Sequence, residues 1–469
     1  MADIVKRKKA LSVNPLKSSS TIGAALAFMG VSRTIPMLHG SQGCSAFGKV
    51  FFVRHFREPI PLQTTAMDQV SAVMGSYDNV VEGVKTICET SSPAMVGIPT
   101  TGLSETQGVD INMAVKEFRT KYPGYEHIPV VPVSTPDYKG CLETGYADAV
   151  LAMLKELVKE RKTAKRKKQV TVLVGSHLTP GDIEEIKDII ELFGLRPVVF
   201  PDLSTALDGH LPEFDFSPLS VGGTPVDEIL SIGSSAATIV IGRSLVQAAD
   251  WLKAETDIPD YRLDHVFGLE GTDDLIMALR EIADKEVPEK LERQRAQLQD
   301  AMLDTHFMLG MSRLAIAGDP DLLYGMSKFL ETIGGETCVA VAPSNQPILT
   351  EVPTKFVKIG DLEDLEQLSI GENLDLIISN SHAVESAERL GVPILRCGFP
   401  QWDLVGGYQK TWVGYRGGRQ VLFDLANLQL QNHKGEVKPY ESIYGQKPEY
   451  AKGQTNGTTK KVDHHGYCH

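Results

Sequence analysis

Hydrophobic positions along the chain gather into short solid runs separated by longer amphipathic stretches, and the pattern repeats. The clearest copy spans 170–202. Val170-Thr-Val-Leu-Val174 is almost wholly apolar, as a strand buried on both faces must be. Thr179-Pro180 then supplies an N-cap and a proline at the first helical position, with Asp182, Glu184 and Glu185 in the positive first turn. Ile183, Ile186, Ile189, Ile190 and Phe193 recur at three- and four-residue spacing, which predicts one buried helical face. Gly194 stops that helix, and Pro197-Val-Val-Phe200 reads as the next strand.

The same unit returns from Leu314-Ala-Ile-Ala317, through the cap Asp319-Pro320 and the stop Gly334-Gly335, to Cys338-Val-Ala-Val341. It returns again from Leu374-Asp-Leu-Ile-Ile378, through Asn380-Ser381 and Gly391, to Pro393-Ile-Leu-Arg396. Met95-Val-Gly-Ile98, a helix over 111–118 and Ile128-Pro-Val-Val131 repeat it near the N-terminus. Strands alternating with helices of this length predict right-handed βαβ units, hence an α/β fold of three Rossmann-like domains with parallel β-sheets flanked by helices. The expected division is an N-terminal α/β domain over 1–168, a middle domain over 169–300, a C-terminal domain over 301–430 and a polar, flexible tail over 431–469. The charged stretch Lys155–Lys168 marks the first boundary, and a charged helix over 286–300 links the second domain to the third.

Length and charge narrow the class. At about 150 residues per domain, 469 residues agree with three. Sixty acidic against 47 basic side chains leave a net charge of −13, which argues against nucleic-acid and anionic-membrane partners. No apolar run nears the roughly 20 residues that span a bilayer: the longest, 22–31, is broken at Ser32, Arg33 and Pro36. A basic start with no apolar stretch behind it is not a secretory signal, so a cytoplasmic location is expected. No glycine-rich dinucleotide or P-loop fingerprint follows any strand. Six cysteines, none in a C-x-x-C spacing, exclude zinc ribbons and thioredoxin-type motifs.

Candidate chemistry concentrates in PMLHGSQGCSAFGKVFFVRHFREPIP, residues 36–61. Gly40 and Gly43 allow a tight loop before Cys44, which falls at the start of a helix carrying Phe47, Phe51 and Phe52. A helix N-terminus presents free N–H groups and a positive dipole, which favour a thiolate or another anion. Lys49, Arg54, His55 and Arg57 add positive charge, and the phenylalanines exclude water. That environment suits a thiolate-ligated, net-negative metal cluster. A buried cysteine in a turn, backed by an aromatic core helix, is the plainer alternative. An iron–sulfur cluster takes about four protein ligands, mostly cysteines. No second cysteine lies in a comparable loop, so a cluster on Cys44 would draw most of its ligands from another chain.

His39-Gly-Ser-Gln-Gly-Cys44 followed by Arg54-His-Phe-Arg-Glu-Pro59 resembles the signature of the nitrogenase β-type family. The resemblance runs from Asn14-Pro15-Leu16-Lys17 and Gly23-Ala24 through Pro99-Thr-Thr-Gly102 and Thr135-Pro-Asp-Tyr-Lys-Gly140. The catalytic β subunits of that family carry three cysteines for an eight-iron cluster; here Cys44 remains, while Ser19 and Gly102 stand at the other two places. The resemblance therefore points to the cofactor-maturation branch. It implies a non-catalytic scaffold that pairs with a NifE-like subunit in an α2β2 heterotetramer. Cys44 would be the one metal ligand, to a [4Fe-4S] cluster shared with the partner chain. It further implies an iron-molybdenum cofactor precursor held transiently and mainly by the partner, and passing contacts with nitrogenase reductase, a precursor donor and apo-nitrogenase. A catalytic β subunit or related reductase subunit is the alternative, and a metal-free nucleotide- or sugar-binding α/β protein is a third.

Cys88, Cys338 and Cys397 fall on helical or strand positions and read as packing, as does Cys141 after Gly140. His464, His465, Cys468 and His469 read as adventitious ligands in the tail. Trp402, Trp412 and Tyr415, among paired glycines, read as surface aromatics of an interface.

Overall fold

The computed structural model describes residues 1–432 apart from 8, 10, 76, 109, 159–165 and 212–216. Part of the charged stretch Lys155–Lys168 and the tail residues His464, His465, Cys468 and His469 lie outside the described residues.

Among the described residues the strands form three parallel sheets. The first has four strands in the order Gln63–Thr64, Thr34–Leu38, Met95–Pro99, Val130–Val133. The second also has four, ordered Arg196–Phe200, Arg166–Val174, Ser235–Ile241, Asp260–Leu263. The third has six: Asp3–Val5, Phe356–Ile359, Glu336–Ala342, Arg313–Ala317, Leu376–Ser379, Ile394–Arg396. Each strand predicted from an apolar run lies in one of these sheets. The Asp3–Val5 strand pairs with Phe356–Ile359, so the start of the 1–168 segment lies with the third unit. Leu362 N–H donating to Asn14 O (2.9 Å) and Lys9 Nζ to Asp361 Oδ1 (2.7 Å) extend that docking.

Local signals act as expected at Thr179. Its hydroxyl accepts from Asp182 N–H and Asp182 Oδ2 accepts from Thr179 N–H, both at 3.0 Å, at the head of the Pro180–Leu192 helix. Asp182 does more: it is buried, and its Oδ1 takes the N–H groups of Trp412 (2.5 Å) and Val413 (3.1 Å). Asp319 stands at the N-cap of Pro320–Glu331 but makes no capping bond and is half-buried.

The apolar stretch 22–31 is a helix, Ser20–Met29, buried at all ten residues. It runs against the Leu142–Leu157 helix so closely that a Cβ on Gly23 would lie 1.8 Å from Leu142 O, and one on Gly145 1.9 Å from Ser20 O. Only glycine fits at that crossing. Trp412 is 2% exposed and Tyr415 is buried, its hydroxyl donating to Asp273 Oδ1 at 2.6 Å. Neither is a surface aromatic. The Gly414–Asn432 helix that follows Trp412 packs on Gly268–Ala283 and Glu289–Leu309, which draws both rings into the core.

Candidate metal centre

Cys44 is the third residue of the Gln42–Phe56 helix, and it is half-buried and free. Ser41 holds the N-cap position without capping; its hydroxyl lies 3.5 Å from Cys44 Sγ. The loop before it is fixed from beneath. His39 is buried, its Nδ1 3.0 Å from Thr65 Oγ1, and burial lowers its pKa to about 4, so the ring is neutral. Thr101 Oγ1 donates to His39 O at 3.0 Å, and a Cβ on Gly40 would sit 2.6 Å from that same Thr101 oxygen. A Cβ on Gly43, by contrast, would meet only Ser41 Oγ, at an ordinary 3.8 Å.

Parallel pairing brings the remaining parts together. The loops leaving Thr34–Leu38 and Met95–Pro99 emerge side by side at the carboxyl ends of neighbouring strands, where α/β sheets gather their ligands. Ser19, the N-cap of Ser20–Met29, is held there because Thr21 Oγ1 donates towards Thr100 O (3.1 Å) and Thr135 O (2.8 Å). Gly102 N–H donates to Asp137 Oδ2 at 3.2 Å. A cavity of about 290 Å³ results, lined among others by Ser19, Cys44, Phe51, Thr101, Asp137 and His382. Positions 19 and 44 thus share one cavity, with 102 adjoining through Thr101. Among the described residues Cys44 brings the one thiol to it.

Two expectations about the surroundings change. His55 adds no charge: it is buried, its pKa falls to about 3, and its Nδ1 accepts Gln401 N–H at 2.9 Å. Lys49, Arg54 and Arg57 remain as exposed cations. Nor do all the phenylalanines exclude water in the chain alone. Phe52 is fully buried against Phe56 and Phe399, Phe51 is half-buried, and Phe47 is 71% exposed.

His382, from the third unit, had no sequence signal pointing to this cavity. Its ring stands edge-on to Trp402 at 4.4 Å and lies 6.1 Å from Phe51, which belongs to the Cys44 helix. Burial lowers its pKa to about 4, so this ring is neutral too. The other described cysteines are elsewhere. Cys88, Cys141 and Cys397 are buried; burial pushes the Cys88 thiol to about 11 and the Cys397 thiol to about 12. Cys141 Sγ accepts from Ser344 Oγ at 3.1 Å, and Cys338 is half-buried on its strand.

Three parallel-sheet units in one chain, with a cavity where their strand-end loops meet a buried helix, define the three-unit α/β class to which nitrogenase subunits belong. The solved structure of nitrogenase Cp1 at pH 6.5 superposes with a TM-score of 0.87 at 30% identity, over 94% of this chain and 98% of that one. Residues 19–430 match the model of the nitrogenase component 1 type oxidoreductases, and the chain belongs to that family. It is 45% identical over 444 residues to the nitrogenase iron-molybdenum cofactor biosynthesis protein NifN of Nostoc sp. (strain PCC 7120 / SAG 25.82 / UTEX 2576), across 95% of this chain and 99% of that protein. To NifN of Klebsiella pneumoniae it is 41% identical over 450 residues, across 96% and 97%.

Proposed function

We propose that this chain is a scaffold subunit for biosynthesis of the nitrogenase iron-molybdenum cofactor, pairing with a NifE-like subunit in an α2β2 heterotetramer. Cys44 supplies one ligand to a [4Fe-4S] cluster shared across the subunit interface. The likeness to NifN along nearly the whole chain supports the role. The observation that carries the site is the lone thiol: Ser19 lines the Cys44 cavity without a thiolate, and Gly102 beside it has no side chain. Among the described residues no group of three or more His, Cys, Asp or Glu is placed to hold a metal by itself, so a cluster here needs donors from a partner.

Such a cluster, when bound, supplies one-electron exchange. The chain's own residues prepare its place. Cys44 stands in the first turn of its helix, with the Ser41 hydroxyl 3.5 Å from its sulfur. Lys49, Arg54 and Arg57 offset negative charge. An open apolar face lies on the Cys44 helix itself: Phe47, which lines the cavity, is 71% exposed, and Val50 and Val53 are exposed on the same helix. Exposed apolar side chains clustered around an incomplete site mark a face that a partner covers. The cofactor precursor is held mainly by that partner, this chain acts without catalytic residues of its own, and the assembly works in the cytoplasm.

The structural likeness to nitrogenase Cp1 favours a second reading, a catalytic β subunit or related reductase subunit. Transfer separates them. The anaerobically purified complex, loaded with precursor, molybdenum, homocitrate and the reductase, is expected to activate apo-nitrogenase while reducing neither dinitrogen nor acetylene itself. Substrate reduction by the complex without activation of apo-nitrogenase would establish the second reading.

A further inference from the structure

We propose that His382 donates its ring N–H to a sulfur of the cluster held at Cys44 and thereby raises the cluster's reduction potential; this rests on the reading of Cys44 above. Ser19 Oγ accepts from Ile22 N–H (3.4 Å), Thr21 Oγ1 donates to main-chain carbonyls, Thr101 Oγ1 donates to His39 O and Lys17 Nζ donates to Asp137 O (2.8 Å). The two threonine hydroxyls are thus committed within the chain, Ser19 Oγ serves as an acceptor, and Lys17 spends one of its three N–H groups. The ring of His382 makes no hydrogen bond to the described residues, although it lines the same cavity.

A free donor is harmless while water reaches it. Once a partner closes the apolar face, an unmatched N–H would cost about 1–3 kcal/mol. A cluster sulfur is the acceptor that arrives with the closure, and hydrogen bonds to sulfur stabilise the more negative, reduced cluster.

The ring is also held still. His382 N–H donates to Asn380 Oδ1 (3.1 Å), Trp402 N–H donates to Ser381 Oγ (3.0 Å), and the Trp402 ring abuts the imidazole. Two further bonds fasten this loop to the Cys44 helix: Gln401 N–H to His55 Nδ1 and Arg57 Nη2 to Trp402 O, both 2.9 Å. Thiol and imidazole, 338 positions apart in sequence, are thus fixed relative to each other.

The test uses the assembled complex with His382→Phe, which keeps a ring without a donor, and His382→Gln, which keeps an N–H. Iron is counted, the cluster is titrated electrochemically with spectroscopic detection, and ¹⁵N-histidine coupling to the reduced cluster is sought. His382→Phe is expected to keep its iron while the reduced-to-oxidised ratio at a fixed potential falls about tenfold, ~59 mV for one electron. His382→Gln should recover most of that shift. Full iron with an unchanged midpoint in His382→Phe overturns the proposal. So does loss of iron from every His382 variant that still assembles, which would make the ring a ligand. Should His382→Phe not assemble, absence of ¹⁵N coupling in the unaltered complex overturns it equally. If Cys44→Ala leaves iron and spectrum untouched, the underlying reading fails instead, whatever His382 does.

Discussion

A thiol at the third position of a helix, facing a cavity, is chemically unlike a thiol packed among aliphatic side chains. Cys44 is of the first kind; Cys88 and Cys397, protonated by burial, are of the second. The sequence already separated them, because a glycine-bracketed loop before an aromatic helix is a local signal. His382 was not legible, since nothing near Asn380-Ser381 says which distant loop will face that turn. Sterically, the missing thiols are a matter of residue choice. A Cβ built on Gly102 meets nothing nearer than 3.5 Å. Gly102→Cys is therefore expected to fold with stability within about 1 kcal/mol of the parent, whereas Ser19→Cys loses an N-cap worth about 1 kcal/mol. Chemical denaturation of the isolated chain measures both, and a Gly102→Cys loss of several kcal/mol would show the site to be closed to a side chain there.

At the level of elements, the Gln42–Phe56 helix has two faces with separate jobs. Phe52 and Phe56 bury themselves against Phe399 of the third unit, while Phe47 points outward. Phe52→Ala should cost about 3–5 kcal/mol and shift thermal unfolding accordingly. Phe47→Ala should leave unfolding unchanged but weaken capture of the NifE-like subunit in a pull-down; equal capture would remove Phe47 from the interface. Strands and amphipathic helices were readable from period and caps. The Ser20–Met29 helix was not, because burial on every side erases the period that announces a helix. Trp412 and Tyr415 misled for a related reason: glycines beside them suggest loops, yet here they precede or sit within a helix packed into the core.

For the whole molecule, the three-unit architecture followed from repeated strand–helix patterns, but the joints between units did not. One joint is a buried acid pair. Glu143 Oε2, from the first unit, accepts Asp321 N–H of the third at 2.8 Å, and Asp321 Oδ2 accepts Ser244 N–H of the second at 3.0 Å. Burial raises the pKa of Asp321 from 3.8 to about 6, and it raises that of Glu143 as well. The folded chain thus keeps protons that the unfolded chain releases between about pH 4 and 6. The Asp321 part of this joint contributes most at low pH and weakens as pH rises through that window, and Glu143 acts in the same direction. Asp321→Asn should raise the thermal midpoint at pH 7 and flatten its fall between pH 4 and 7. A lower midpoint at pH 7 with an unchanged slope would show the carboxylate itself to be the stabilising group.

Whether the three units and their partner enclose a cluster at Cys44 is decided by counting iron in the complex purified without oxygen. About four iron atoms per pair of subunits are expected at this site. Cys44→Ala should lose them and their spectrum while the heterotetramer still forms. An assembled Cys44→Ala complex with the iron and spectrum of the parent would contradict the account.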